Sequence, residues 1–153
     1  MRVLVDGTNA ALFLPVSLVD GGRLQFGMEV LRWGFGIIAH NNPHVEFTLV
    51  FDSPQQGGWR RGNLEIWYSG RWEDADSSLI TIARLQQPDH YTVAITSDRA
   101  LARRLATLGV YDADAQATMQ RLWDAWNQPE ELAVYGLDDI MWDLELSRYA
   151  HFA

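Results

Sequence analysis

Residues 91–109, YTVAITSDRALARRLATLG, decide the fold class. Tyr91–Thr96 is a β-branched and apolar run of the kind that forms a buried strand. Ser97-Asp98 then opens a helix that runs through Leu108, and Gly109 is its C-cap. A buried strand passing directly into a helix is the building unit of an α/β protein.

Working outward, the same alternation recurs. Arg2–Val5 (RVLV) reads as a short buried strand that stops at Asp6-Gly7. From Gly27 to His40, the residues Met28, Val30, Leu31, Phe35, Ile37 and Ile38 recur at helical spacing, giving one wide apolar face that ends at Asn41-Asn42-Pro43. Val45–Phe51 is a second strand closed by Asp52-Ser53-Pro54, Gln55–Asn63 is turn-rich, and Leu64–Tyr68 is a third strand. Asp74–Gln87 reads as a helix ending at Pro88, and Val110-Tyr111 as a very short last strand. Ala115–Asn127 and Leu137–Tyr149 read as helices separated by Gln128-Pro129. This order predicts a three-layer α/β/α sandwich with a mainly parallel central sheet of about four to five strands, plus C-terminal helices. Neither a repeat nor a linker divides the chain. Residues 1–153 are therefore expected to form a single domain, with 115–153 a helical extension packed on it.

Composition narrows the function. The chain has 153 residues and 48% apolar content, enough for a core. Its 12 basic against 20 acidic residues give a net charge of −8, which excludes a uniformly basic surface that wraps nucleic acid by charge alone. All 12 basic residues are arginine, so lysine nucleophiles and a Walker-type phosphate lysine are excluded. Without cysteine there is no thiolate metal site and no catalytic thiol. The opening apolar run Val3–Val5 is too short for a signal-peptide core or a membrane span, so a soluble, cytoplasmic protein with no membrane association is expected.

The informative pattern is where the carboxylates fall. Asp6 ends the first strand, Asp52 ends the second, Asp98 follows the fourth, and Asp76 lies at the start of the helix after the third. In a parallel sheet these C-terminal strand ends share one edge, where α/β proteins place ligands. Carboxylates gathered there repel unless protonated or bridged by cations, and an all-oxygen set suits Mg²⁺ or Mn²⁺. Turn chemistry and helix capping are the ordinary alternative for each aspartate taken alone. Asn9 can orient a carboxylate or a metal-bound water, and the hydroxyls of Thr8, Thr96 and Ser97 can hold carboxylates in place.

These residues also carry a resemblance. Val3-Leu4-Val5-Asp6-Gly7-Thr8-Asn9 resembles the opening of NYN domains, PIN-like nucleases that include the bacterial YacP-like group. Val50-Phe51-Asp52-Ser53 resembles that family's second strand end, and Asp74-Ala75-Asp76-Ser77-Ser78-Leu79-Ile80 its A-D-x-x-I helix start. Ala94-Ile95-Thr96-Ser97-Asp98-Arg99 is similar to its V-T-S-D strand end. The motifs occur in the family's order over residues 2–112. The resemblance implies a PIN-like fold and an endoribonuclease that hydrolyses RNA with Mg²⁺ or Mn²⁺. Its site would be formed by Asp6, Asp76 and Asp98, assisted by Asn9 and Asp52, with metals activating a water and no protein nucleophile. The sequence departs from the family in carrying Ser77 where many relatives have a second acid, in the absence of lysine, and in everything after Ala115. Asp112 and Asp114 are candidates for the missing ligand, or solvated surface groups.

For substrate, Trp59-Arg60-Arg61 and Arg71-Trp72 flank the third strand, and arginine beside tryptophan suits single-stranded RNA. Core-edge packing of the indoles is the alternative. Arg99 shares a helix face with Arg103 and is a further phosphate candidate. The four histidines show no ligand spacing, and Gly34-Phe35-Gly36 lies inside a helix, which removes a dinucleotide reading. The acidic C-terminal helices, with Trp123, Trp126 and Trp142, pack on the sheet or meet a protein partner. Two further classes stay open: an NYN-fold RNA- or protein-binding module with weakened catalysis, and a phosphohydrolase acting on small phosphoesters.

Overall fold

The computed structural model describes residues 1–14, 23–54, 56–70, 74–85 and 91–126. Arg71, Trp72 and the expected helix at 137–149 lie outside these residues.

The strands are β1 (Arg2–Asp6), β2 (Glu46–Phe51), β3 (Gln56–Arg61), β4 (Leu64–Ser69), β5 (Thr92–Ile95) and β6 (Tyr111–Ala113). They form one sheet in the order β3-β4-β2-β1-β5-β6. Every pairing is parallel except that of β3 with β4. The helices are α1 (Gly7–Leu12), α2 (Arg23–Asn41), α3 (Ala75–Arg84), α4 (Arg99–Ala106) and α5 (Ala115–Trp126).

Side-chain alternation along the buried strands makes two cores. Val3, Val5, Phe47, Leu49, Phe51, Val93 and Ile95 face one way, onto α1, α2 and α5 through Ala10, Leu31, Phe35, Ile38, Met119 and Leu122. Leu4, Val50 and Ala94 face the other way, onto α3 and α4 through Leu79, Ile80, Leu101 and Leu105. Strands buried on both faces explain the near-continuous apolar runs of the sequence. The result is the three-layer α/β/α sandwich with a mostly parallel sheet.

The sheet has six strands rather than four or five. The additional one is β3, in the stretch expected to be turns. Gly62 adopts φ 59° and with Asn63 makes a two-residue turn between the paired Arg61 and Leu64. Asn63 then ties the hairpin down. Its Nδ2 donates to the carbonyls of Ala39 at 2.9 Å, Asn42 at 2.9 Å and Val45 at 2.7 Å. These are the end of α2 and the chain leading into β2. A second departure is α1, which begins directly after Asp6. Gly7 is required there, because a Cβ would lie 2.9 Å from the Val50 carbonyl oxygen and against the Phe51 ring. Among the described residues no helix is long and apolar enough to cross a membrane.

Candidate active site

The chain leaves β1 for β2 on one side and, after β4, crosses back through α3 to β5 on the other side of β1, so the strand order reverses there. The C-terminal ends of β1, β2 and β5 therefore border the crevice where open α/β sheets bind ligands. The structure has an open cleft of ≈ 350 Å³ there, lined by Asp6, Asp52, Asp74, Asp76 and Asp98 together with Thr8 and Asn9. The sequence-derived quartet of aspartates is thus brought to one edge, and Asp74 joins it.

Each carboxylate is held by its local structure. Asp6 ends the central strand and is only 5% exposed. Thr96 Oγ1 donates to its Oδ2 at 3.0 Å. Burial pushes the Asp6 carboxyl up from 3.8 to about 6; the Thr96 hydrogen bond and the nearby Asn9 backbone N–H oppose the rise, while Asp76 and Asp98 add to it. Asp98 is the N-cap of α4, its Oδ1 accepting from the Leu101 N–H at 3.1 Å, and its own N–H donates to Thr96 Oγ1 at 3.1 Å. One threonine hydroxyl therefore links two of the acids. Asp76, in the first turn of α3, has its carboxyl raised by burial and by the neighbouring charges of Asp98, Asp74 and Asp52, against the pull of Arg104. Asp74 caps α3 by accepting from the Ser77 N–H at 2.7 Å, and that bond lowers its carboxyl. Asp52 is exposed; Ser69 Oγ donates to its Oδ1 at 3.2 Å and its N–H donates to Thr8 Oγ1 at 2.8 Å.

Capping and site membership are thus compatible at Asp98 and Asp74. What the arrangement offers is a set of oxygen donors that repel one another, the chemistry suited to a hard divalent cation. Among the described residues no three such groups stand close enough to grip one ion as they are placed, so a cation would have to draw them inward.

The remaining residues divide clearly. Asn9 accepts from the Ser97 N–H through Oδ1 at 2.8 Å, joining α1 to the end of β5. Thr96 holds a cleft carboxylate as expected, but Thr8 holds a backbone N–H, and Ser97 Oγ donates to Asp114 at 3.1 Å, outside the cleft. Asp114 caps α5 through the Ala117 N–H, and Asp112 pairs with Arg99 at 2.7 Å, so neither supplies a ligand to the cleft. Arg60 is held by Glu46 at 3.3 Å and by Glu65 at 3.8 Å. Trp59 and Arg61 lie toward the start of β4, at the end of the sheet opposite Asp52, because β4 runs parallel to β2. Trp59, Arg60, Arg61 and Arg99 do not line the cleft.

The sequence reading missed Asp74 as a cleft residue. Its signal was present in the Asp74-x-Asp76 spacing, which sets a capping acid beside a first-turn acid.

No family model matches the chain, and no curated protein sequence matches it. Its structure is similar to the crystal structure of Rae1 (YacP) from Bacillus subtilis, with a TM-score of 0.70 and 17% identity over 98% of this chain and 87% of that chain. A single-residue mutant of the same Bacillus subtilis protein gives a TM-score of 0.68 and 17% identity over 85% of this chain and 79% of that chain. The fold inferred from strand order and burial is thus the fold of Rae1 (YacP).

Proposed function

We propose that this chain is a metal-dependent endoribonuclease that hydrolyses RNA at the acidic cleft. The observation that carries the reading is the convergence of Asp6, Asp52, Asp76 and Asp98 on one open edge of the sheet. The NYN-like motifs on the same residues, and the Rae1-like fold, support it. Asp6, Asp76 and Asp98 would hold Mg²⁺ or Mn²⁺, with Asp52 and Asp74 at the margin. The ion would supply an activated water and stabilisation of the charge developing on the phosphate. The protein residues fix the donors: Thr96 orients Asp6, the α4 cap orients Asp98, and Ser69 orients Asp52. Asn9 ties α1 to the end of β5 by accepting from the Ser97 N–H.

The test is incubation of the purified protein with a labelled single-stranded RNA in Mn²⁺, Mg²⁺ or EDTA, beside Asp98→Asn. Asparagine is an equally good N-cap, so this variant removes charge while preserving α4. Cleavage that needs the cation and vanishes in the variant is the expected result. Intact RNA in every lane would reject the nuclease. The rival reading, a fold that binds RNA without cutting it, is favoured by the spacing of the carboxylates, which leaves them ungrouped around a single point. Retention of the uncut RNA in a gel shift would select it.

A further inference from the structure

A second concavity lies on the α2 side of the sheet. It has a volume of ≈ 520 Å³ and is walled by Arg32, Trp33, Ile37 and His40 of α2 and by Trp59 and Arg61 of β3. The β3–β4 register explains the composition of its outer wall. Trp59 pairs with Ile66 and Arg61 with Leu64, both core residues on the α2 side, so this indole and guanidinium overhang α2. Gly58 and Arg60 alternate to the other face with Trp67 and Glu65. Gly36 opens the floor. A Cβ there would have as its nearest neighbour only Leu64 Cδ2 at 4.0 Å, so the space above this helical glycine belongs to the groove.

Three features of this groove point to one ligand chemistry. Trp33 is 55% exposed and Trp59 40% exposed, unusual for the largest apolar side chains. Two arginines and a histidine line the groove and, among the described residues, no carboxylate does, in a chain whose net charge is −8. Arg32 is braced by donating from Nη1 to Tyr68 Oη at 2.9 Å, and Arg61 makes no ion pair among the described residues. Flat indoles beside guanidiniums suit unpaired bases on a phosphate backbone. From Arg32 to His40 the α2 wall extends about 12 Å, enough for about three stacked nucleotides.

We propose that the groove between α2 and the β3–β4 hairpin binds single-stranded RNA, with bases stacked on Trp33 and Trp59 and phosphates against Arg32 and Arg61. The inference rests on RNA being the substrate of the cleft. It adds a gripping site at the far end of the sheet, so that the strand is held at one place and cut at another.

The test measures binding without cutting. The full chain carrying Asp98→Asn is titrated in EDTA with a fluorescein-labelled 12-nucleotide single-stranded RNA, followed by anisotropy, with an RNA duplex as competitor. Trp33→Ala and Trp59→Ala are expected to weaken binding about five-fold or more each. Arg61→Gln should flatten the slope of log affinity against log salt by about 0.7. Trp67→Phe, on the opposite face of the hairpin, should leave affinity unchanged. Ultraviolet cross-linking of the RNA to the chain without groove substitutions should label peptides containing residues 32–40 or 59–64, which keeps the test decisive if a tryptophan variant unfolds. Unchanged affinity in both folded tryptophan variants, cross-links confined to other segments, or a duplex that competes as well as the single strand would overturn the proposal. So would the absence of any RNA binding, which would leave the groove to a protein partner. Loss of cleavage in Asp98→Asn combined with unaltered binding in the groove variants would defeat the groove and spare the nuclease. Groove-dependent binding without cleavage under any condition would do the reverse.

Discussion

Replacing Asp6 with asparagine is expected to stabilise the protein at pH 8 while abolishing cation-dependent RNA cleavage. Burial raises the Asp6 carboxyl from 3.8 to about 6, so above that range the folded state holds a charge that the unfolded state solvates more easily. The gap corresponds to a penalty of about 3 kcal/mol once the group is fully ionised. The sign follows from proton binding. Between pH 4 and 6 the folded state keeps a proton that the unfolded state has released, so stability falls as pH rises through that window and the loss is complete at pH 8. Asparagine is never charged and escapes the loss. It does sacrifice an acceptor oxygen, leaving either the Thr96 hydroxyl or the Asn9 N–H short of a partner, a cost of about 1–2 kcal/mol. The two proteins should therefore be about equally stable at pH 5, with the variant about 1–2 kcal/mol more stable at pH 8. Urea unfolding followed by tryptophan fluorescence in EDTA measures both. Added Mn²⁺ should then raise the stability of the original protein and leave the variant unmoved, by linkage to binding. A stability difference that does not change with pH, or an asparagine variant that is the weaker protein at pH 8, would refute the reasoning.

Thr96→Val removes the hydroxyl that donates to Asp6 and accepts from Asp98, and should cost about 2 kcal/mol in urea unfolding while moving the Asp6 carboxyl, followed by carbon NMR, further upward. Gly7→Ala forces a Cβ to within 2.9 Å of the Val50 carbonyl oxygen and should lower stability by about 1–3 kcal/mol in thermal unfolding. Arg99→Gln breaks the 2.7 Å pair with Asp112, whose side chains are 53% and 36% exposed, so a double-mutant cycle with Asp112→Asn should return less than about 1 kcal/mol.

The strand–helix units were legible in the sequence because their local signals agree with their burial. Asp74 and Asp98 cap the helices they precede, whereas α4 ends at Ala106 with Thr107 as its C-cap rather than at Leu108, and Gly109 at φ 79° turns the chain two residues later. Strand-end aspartates on a parallel sheet then led to the cleft without any knowledge of distances. Strand β3 was hidden because its glycines imitate a loop. Gly58 is there for space, since a Cβ would collide with the Ile66 carbonyl of the neighbouring strand, a requirement visible only once the pairing is known. The Gly62-Asn63 pair was the available hairpin signal. Helix α1 is too short for a periodic pattern, and it sets the direction of Asn9. The end of the sheet that Trp59 and Arg61 occupy was hidden for the same reason, since only the β3–β4 register fixes it.

The Asn63 amide has two hydrogens and three carbonyls to serve, one at the end of α2 and two in the chain entering β2. One side chain thus ties the hairpin to the end of the helix. For the proposed RNA groove, a tie made on folding between the elements that carry Trp33 and Trp59 would lower the ordering entropy lost on association. Slow amide exchange at Asn42, Val45 and Phe47, whose N–H groups donate to Ala39, Asn42 and Asn63 at this junction, would be the outward sign of that tie in the free protein.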